Sequence, residues 1–381
     1  MQKRIYLSLA QMGGREQDFI KEAFDTNWVV PLGPNVDAFE KDLEIFVGEN
    51  RHVVALSSGT AAIHLGLLQL GVGSGDEVIC QSFTFAASAN PVTYLGAVPV
   101  YVDSESDTWN MSPKFMEEAI LDRKAKTGKY PKAIVPVHLY GMPAQMDEIR
   151  TIAATYGIPV MEDAAEAIGS EYKGRKCGTF GEYGALSFNG NKMITTSGGG
   201  ALICRTEKEA QRTMFYATQA RENRPYYYHE HVGYNYRMSN ICAGIGRGQM
   251  LVLDDHIARR RAIHALYTEL FRDMEGIRVK QNPTSDYNSN FWLTCIEVDP
   301  RCYGKTADDI RVHLETENIE SRLLWRPMHM QPVYAKCAFY GDGTAERIFN
   351  QGLCLPSGSS LSDKEIHDVV EAIRMIIKSK R

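Results

Sequence analysis

The chain has 381 residues, 44% of them hydrophobic and 23% charged, and its 42 basic and 47 acidic side chains give a net charge of −5. That length supports one large domain or two moderate ones with a core that folds without staples, which excludes disorder as the main state. An apolar run of about 18 residues is lacking, as is the apolar stretch of a secretory leader, and a net negative chain argues against general nucleic-acid binding.

Taken in chain order, short apolar runs alternate with amphipathic stretches up to about residue 250. Val53–Leu56, Glu77–Cys80, Val98–Val102, Ala133–Val137, Pro159–Glu162, Ala185–Phe188 and Ala201–Cys204 read as buried strands. Thr60–Leu70 and Gln145–Tyr156 read as helices between them. The alternation predicts βαβ units and a largely parallel sheet, with the site at the carboxyl ends of its strands. Gly71-Val-Gly-Ser-Gly75 precedes a strand, so it reads as a turn and not as a dinucleotide fingerprint.

The pattern changes near Met238. Asn240–His264 reads as one long helix, with Arg259-Arg260-Arg261 as a solvated face. Phe291–Val298 reads as a strand and Thr306–Glu317 as a helix. A closing helix starts at the capping box Ser362-Asp-Lys-Glu365 and continues through Ile366, Val369, Val370 and Ile373 at helical spacing. The expected division is a large domain over 1–250 and a smaller α/β domain over 251–381.

The eight cysteines are scattered without a C-x-x-C pair, which points to buried small hydrophobes in a reducing cytoplasm and not to zinc or a disulfide framework. No H-E-x-x-H, P-loop or G-x-S-x-G motif is present, and Tyr228-His-Glu-His231 reads as a polar loop, so no metal is expected.

Three stretches have the makings of a site. Leu56-Ser-Ser-Gly-Thr-Ala-Ala62 lies between a strand and a helix, where free N–H groups bind phosphate or where Ser58 simply caps the helix. Val160-Met-Glu-Asp-Ala-Ala-Glu166 puts Glu162 and Asp163 at a strand end, either as a helix cap or facing a cationic ligand atom. Ser187-Phe-Asn-Gly-Asn-Lys192 runs into Thr195-Thr-Ser-Gly-Gly-Gly200. A lysine between a strand end and a glycine run is either surface or a Schiff-base former.

In sequence, Ser58-Gly-Thr-Ala61, Glu162-Asp-Ala-Ala-Glu166, Ser187-Phe188 with Lys192 and the glycine run, and Gly233-Tyr-Asn-Tyr-Arg-Met-Ser-Asn240 resemble the DegT/DnrJ/EryC1/StrS family of pyridoxal-phosphate (PLP)-dependent sugar-nucleotide aminotransferases over nearly the whole chain. The resemblance implies the fold type I architecture: a mostly parallel seven-stranded sheet with a smaller C-terminal α/β domain. It also implies PLP carried as a Schiff base on Lys192, with Asp163 at the pyridine nitrogen. Gly59, Thr60, Ala61 and Ser187 would hold the phosphate, Phe85 would stack on the ring, and Glu166 would stand near the phenolic oxygen. Glutamate there departs from the commoner glutamine or histidine. Asn235 would reach the phosphate of a neighbouring subunit, which implies a homodimer with shared sites.

Leu324-Trp-Arg-Pro-Met-His-Met-Gln-Pro332 and Cys354-Leu-Pro-Ser-Gly358 resemble the members that aminate UDP-4-keto-6-deoxy-N-acetylglucosamine in bacillosamine-type and exopolysaccharide synthesis. Trp325, Arg326 and His329 fit a nucleotide-sugar contact, and L-glutamate is the expected amino donor. The alternatives are a GDP- or dTDP-linked keto sugar and, in another class, an NAD-dependent nucleotide-sugar oxidoreductase or epimerase, which lacks its fingerprint here.

Overall fold

The computed structural model describes residues 3–378. Its main sheet is built from β1 (His52–Leu56), β2 (Glu77–Gln81), β3 (Val98–Val102), β4 (Ala133–Val135), β5 (Met161–Asp163), β6 (Tyr183–Ser187) and β7 (Gly200–Cys204). The pairings give two four-stranded blocks, one of which takes in a short strand from further along the chain, Phe339–Tyr340. Parallel bridges Ile134↔Val160 and Val137↔Asp163 join the blocks through β4 and β5. β7 is the exception to the parallel rule, antiparallel to both β1 and β6.

Strand alternation explains the layers. On β1, Val54 and Leu56 join the core under the helix Gly59–Gln69, whereas Val53 and Ala55 join the core under the helix Pro34–Val47. On β2, Val78 and Cys80 share the first of these cores, and Ile79 faces the helices Pro113–Thr127 and Met146–Tyr156. The sheet is therefore buried on both sides, as its continuous apolar runs require. The Gly71–Gly75 stretch is a turn, with Gly73 N–H donating to Asp76.

A second, antiparallel sheet is built from β8 (Ile277–Val279), β9 (Thr294–Val298), β10 (Arg322–Leu323) and β12 (Gly352–Leu355), β11 being the Phe339–Tyr340 strand already paired with β3. Its order is β8-β9-β12-β10, with β11 left in the main sheet. The helices Leu253–Phe271, Ala307–Thr316 and Asp363–Lys378 cover it. A mixed cluster of Phe83, Leu139, Tyr140, Trp292, Leu324 and Cys354 lies between the two sheets. Among the described residues no helix is long and apolar enough to cross a membrane.

Two expectations need correction. The helix over 240–264 is two helices, Asn240–Met250 and Leu253–Phe271, because Val252 leaves helical geometry at φ −122° and Asp254 and Asp255 begin a new first turn. The first helix is pressed flat: a Cβ on Gly246 would sit 2.7 Å from the Phe39 ring, and one on Gly248 2.7 Å from Glu16. Nor is Arg259–Arg261 a solvated face. Arg260 is 1% exposed, and its guanidinium donates to the Trp292 carbonyl and to Ser8 Oγ. Burial draws its pKa down to about 10.

Candidate active site

The carboxyl ends of β1, β5 and β6 open into a cavity of about 470 Å³. Lys192 reaches it from the loop after β6, with its side chain 13% exposed. Its Nζ lies 3.3 Å from Glu166 Oε1 and 3.9 Å from the centre of the Trp292 ring. The indole is fixed in turn, since its Nε1–H donates to the Asn191 carbonyl at 2.8 Å. A lysine between a carboxylate and an indole face, lining a cavity with 13% of its side chain exposed, is not a surface lysine.

Glu162 and Asp163 turn out to have separate roles. Glu162 points away from the cavity. It accepts the Gly178 and Gly181 N–H groups at 2.8 and 2.6 Å and pairs with His138 Nε2 at 2.8 Å. Asp163 lines the cavity. Ser88 Oγ donates to its Oδ2 at 2.5 Å and the Ala165 N–H to its Oδ1 at 3.1 Å, which fixes the plane of the carboxylate. Thr84 Oγ1 lies 2.7 Å from Ser88 Oγ behind it.

Glu166 is buried at the cavity wall, and burial raises its pKa above the ordinary carboxylate value. Lys192 and the Tyr140 N–H, which donates to Oε2 at 2.7 Å, oppose that shift. Tyr140 makes this contact from a left-handed conformation, φ 54° and ψ 20°. Strain of that kind persists only where surroundings over-determine it. Here the ring stacks between Trp292 and Trp325, and the phenolic oxygen accepts the Trp325 N–H at 2.8 Å. The preceding turn also depends on Gly141: at φ +90°, a Cβ would fall 1.9 Å from Asn290 Oδ1.

On the other side, Ser57, Ser58, Gly59, Thr60 and Ser187 line the cavity where β1 feeds its helix. Ser58 is the N-cap, its Oγ accepting the Ala61 N–H at 3.0 Å. The Gly59 and Thr60 N–H groups belong to the first turn and have no intrahelical acceptor, which suits an anion. The chemistry of this donor set fits PLP: an anion subsite at one helix start, a buried carboxylate, and an amine in one pocket.

The structure therefore brings together Gly59, Thr60, Phe85, Asp163, Glu166, Ser187, Lys192 and Trp325. Phe85 is half-exposed, with its ring 5.2 Å from Trp325. Ala61 is buried beneath the lining. Asn235 lies elsewhere, in a separate hollow with Pro31, Leu32, Gln219 and Arg237. Arg326 is exposed outside the cavity. His329 also stands outside it, with Nδ1 2.6 Å from Ser82 Oγ, Nε2 3.0 Å from Glu346 Oε1, and the ring stacked on Phe339. Sequence reasoning passed over Ser88, Tyr140, Trp292 and Arg322. Ser88 lies three residues past Phe85, Trp292 inside the predicted Phe291–Val298 strand and Arg322 two residues before Leu324–Pro332, yet none carries a local signal that it serves the cavity.

The profile of the DegT/DnrJ/EryC1/StrS aminotransferase family matches residues 10–374. EpsN of Bacillus subtilis, described as a pyridoxal phosphate-dependent aminotransferase, is 48% identical over 98% of this chain and 96% of its own. A GDP-perosamine synthase of Escherichia coli O157:H7 is 35% identical over 96% of this chain and 97% of its own. The crystal structure of a family aminotransferase from Brucella abortus superposes with a TM-score of 0.88 at 30% identity, covering 95% of both chains. With a lysine, a buried aspartate and an anion-ready helix start in one cavity, and with relatives matching from end to end, the chain belongs to the DegT/DnrJ/EryC1/StrS aminotransferase family and is a PLP-dependent sugar aminotransferase.

Proposed function

We propose that this enzyme transfers an amino group from L-glutamate to the C4 ketone of a UDP-linked 4-keto-6-deoxy-N-acetylhexosamine, giving the 4-amino sugar nucleotide for polysaccharide or glycan synthesis. The observation that carries the reading is Lys192 Nζ held between Glu166 and Trp292 in the cavity that Asp163 lines. When bound, PLP supplies a carbonyl that takes up an amine and a ring that accepts electrons from the neighbouring carbon.

The chain's residues supply the rest. Lys192 attaches the cofactor and, once released, takes and returns the proton at the substrate carbon. The Asp163 carboxylate, oriented by Ser88 and Ala165, keeps the ring nitrogen protonated. Gly59, Thr60 and Ser187 hold the phosphate, while Ala61, whose N–H is taken by Ser58, shapes that turn. Glu166, raised toward its neutral form by burial, stands by the phenolic oxygen, and Phe85 covers the ring.

Asn235 completes the phosphate site of a second copy, so the active enzyme is a homodimer with shared sites. Its place in a hollow separate from its own chain's cavity supports that assignment. Trp325 gives the nucleotide sugar a flat wall, and Arg326, outside the mouth, takes the diphosphate. The engaged ring of His329 supports packing and not substrate contact. The division at residue 250 is likewise proposed, with β11 as the piece of the second part that returns to the main sheet. The cytoplasm is the proposed compartment, in keeping with the scattered cysteines.

The UDP assignment rests on the Leu324–Pro332 and Cys354–Gly358 stretches. A GDP-linked keto sugar is the second reading, favoured by the relatedness to GDP-perosamine synthases. The test is amino transfer from glutamate to matched UDP-, GDP- and dTDP-linked 4-keto-6-deoxy sugars. A 4-amino UDP-sugar formed together with 2-oxoglutarate is expected. A clear preference for the GDP sugar would overturn the UDP assignment and leave the aminotransferase standing.

A further inference from the structure

Two cationic side chains line the cavity, Lys192 and Arg322. Lys192 is engaged by Glu166 and by the Trp292 face. Arg322 stands on β10, in register with Cys354 of β12, so a sheet pairing fixes its backbone. Its Nη2 donates to Glu320 Oε1 at 2.9 Å, and Glu320 is itself tied down where Oε2 accepts the Leu7 N–H at 3.0 Å. The side chain is 59% exposed. One N–H of the guanidinium's five is spent on Glu320, which ties the side chain to the cavity wall and leaves the others for a ligand.

We infer that Arg322 is the specificity-determining residue that takes a carboxylate of the amino-acid donor, an inference that rests on the amino-transfer reading above. The donor must bring its carboxylate into a cavity that already contains Asp163 and Glu166 and accepts the cofactor's phosphate. An anion desolvated there without a counter-charge is strongly disfavoured. A planar guanidinium meets a carboxylate through two parallel hydrogen bonds, which a lysine does not reproduce. Size separates the two arginines of this segment. A space of about 470 Å³ suits the cofactor and a small acid, whereas a nucleotide diphosphate must extend beyond it. Arg322 lines that space and Arg326 does not. Trp325, three residues on, stacks with Tyr140 and keeps the same wall rigid.

The test is calorimetric titration of the PLP-loaded enzyme with glutarate, a dicarboxylate without amino or keto group, and separately with UDP. Arg322→Ala is expected to weaken glutarate binding about 10- to 100-fold, the loss of a charge-assisted hydrogen bond, with UDP affinity within about twofold of wild type. The KM for glutamate should rise by a similar factor, with a smaller change in kcat. Thermal melting of the variant checks its fold. Should Arg322→Ala fail to fold, Arg322→Gln, which keeps a hydrogen-bonding side chain beside Glu320, carries the same expectation. Unchanged glutarate affinity, or equal weakening of glutarate and UDP, overturns the inference. Failure of the nucleotide-sugar reading would look different: the wild type would bind glutarate and not UDP.

Discussion

The two walls of the Lys192 cavity are built in opposite ways. On the main-sheet side, Ser58 to Thr60, Asp163 and Ser187 each sit at or just past the carboxyl end of β1, β5 or β6, so a short local stretch both forms the element and delivers the side chain. The facing wall is assembled from a distance. Tyr140 and Phe291 take left-handed backbones, at φ 54° and 46°, to turn Tyr140 and Trp292 inward, and Arg322 and Trp325 arrive through β10, whose place depends on its pairing with β12. The first wall can be read from strand-turn-helix grammar, while the second depends on long-range packing. In the proposed roles the same split separates cofactor from substrate, with the phosphate and ring-nitrogen contacts on the local wall and the donor and nucleotide-sugar contacts on the assembled one.

Lys192→Ala removes the amine that the main-sheet wall delivers. It should abolish amino transfer by at least about 10²–10⁴-fold, the contribution of acid–base catalysis alone. Cofactor should still bind through the phosphate contacts of the main-sheet wall. Turnover near the wild-type rate would remove Lys192 from the chemistry, and loss of all cofactor binding would show that this wall does not hold phosphate unaided.

A second test concerns what stands behind the main-sheet wall. Glu40 is half-buried against β1, with Oε1 accepting the Ala55 N–H at 2.8 Å, and its desolvation lifts its pKa to about 7. Folding thus favours its neutral form. Between about pH 4.5 and 7 the native state holds a proton that the unfolded chain has released, so stability falls as pH rises through that window. At about 1.4 kcal/mol per pH unit, the loss is about 3 kcal/mol. Glu40→Gln should remove it, so that the variant's advantage in denaturant melts grows from pH 4.5 to 7 and then levels. A gap that stays flat with pH would mean that Glu40 is charged in the native protein.

Asn235 tests whether one chain suffices to build the site. Losing an amide donor to the cofactor phosphate should cost about 1.5–3 kcal/mol of PLP binding, so Asn235→Ala should be defective only at limiting cofactor. Heterodimers of Lys192→Ala and Asn235→Ala chains separate the two geometries. If Asn235 acts across the interface, one site per dimer keeps both residues and recovers tight, active binding. If it acts within its own chain, every site carries a defect and no tight, active site forms.

These differences also explain how much was legible. The strands of the main sheet follow from apolar runs ending in hydroxyl and glycine residues, a pattern local enough to read, whereas Ser58 and Lys192 each had two readings until the N-cap bond and the cavity chose between them. Glu162 and Asp163 stood undivided in sequence, since successive strand residues face opposite ways and only the partners, the Gly178 and Gly181 N–H groups on one side and Ser88 on the other, tell them apart. Arg260 defeated a reading from composition: among three consecutive arginines on a helix, one turns toward the core, and the carbonyl that receives it belongs to Trp292. Arg322 had no motif of its own in the sequence; only the β10–β12 pairing brings it to the cavity, while Arg326, four residues on, stays outside.

The simplest part of the local wall is a helix cap. Ser58 Oγ accepts the Ala61 N–H at 3.0 Å at the cavity, and Thr206 Oγ1 accepts the Glu209 N–H at 3.2 Å at an exposed helix start, where Glu209 reciprocates. Ser58→Ala and Thr206→Ala should each cost the apoprotein about 1 kcal/mol, the usual loss of a cap. Their responses to cofactor should then differ. Ser58→Ala leaves the Ala61 N–H without its acceptor at the subsite proposed for the PLP phosphate, and a bound anion can replace the lost oxygen. A ligand that binds the native state more tightly in the variant returns part of the lost stability. The melting deficit of Ser58→Ala relative to wild type should therefore narrow on saturation with PLP, while that of Thr206→Ala stays constant. If both deficits persist unchanged, the start of the Gly59–Gln69 helix does not hold the phosphate, and the anion subsite must be sought among the Ser187 and Gly198–Gly199 residues of the same wall.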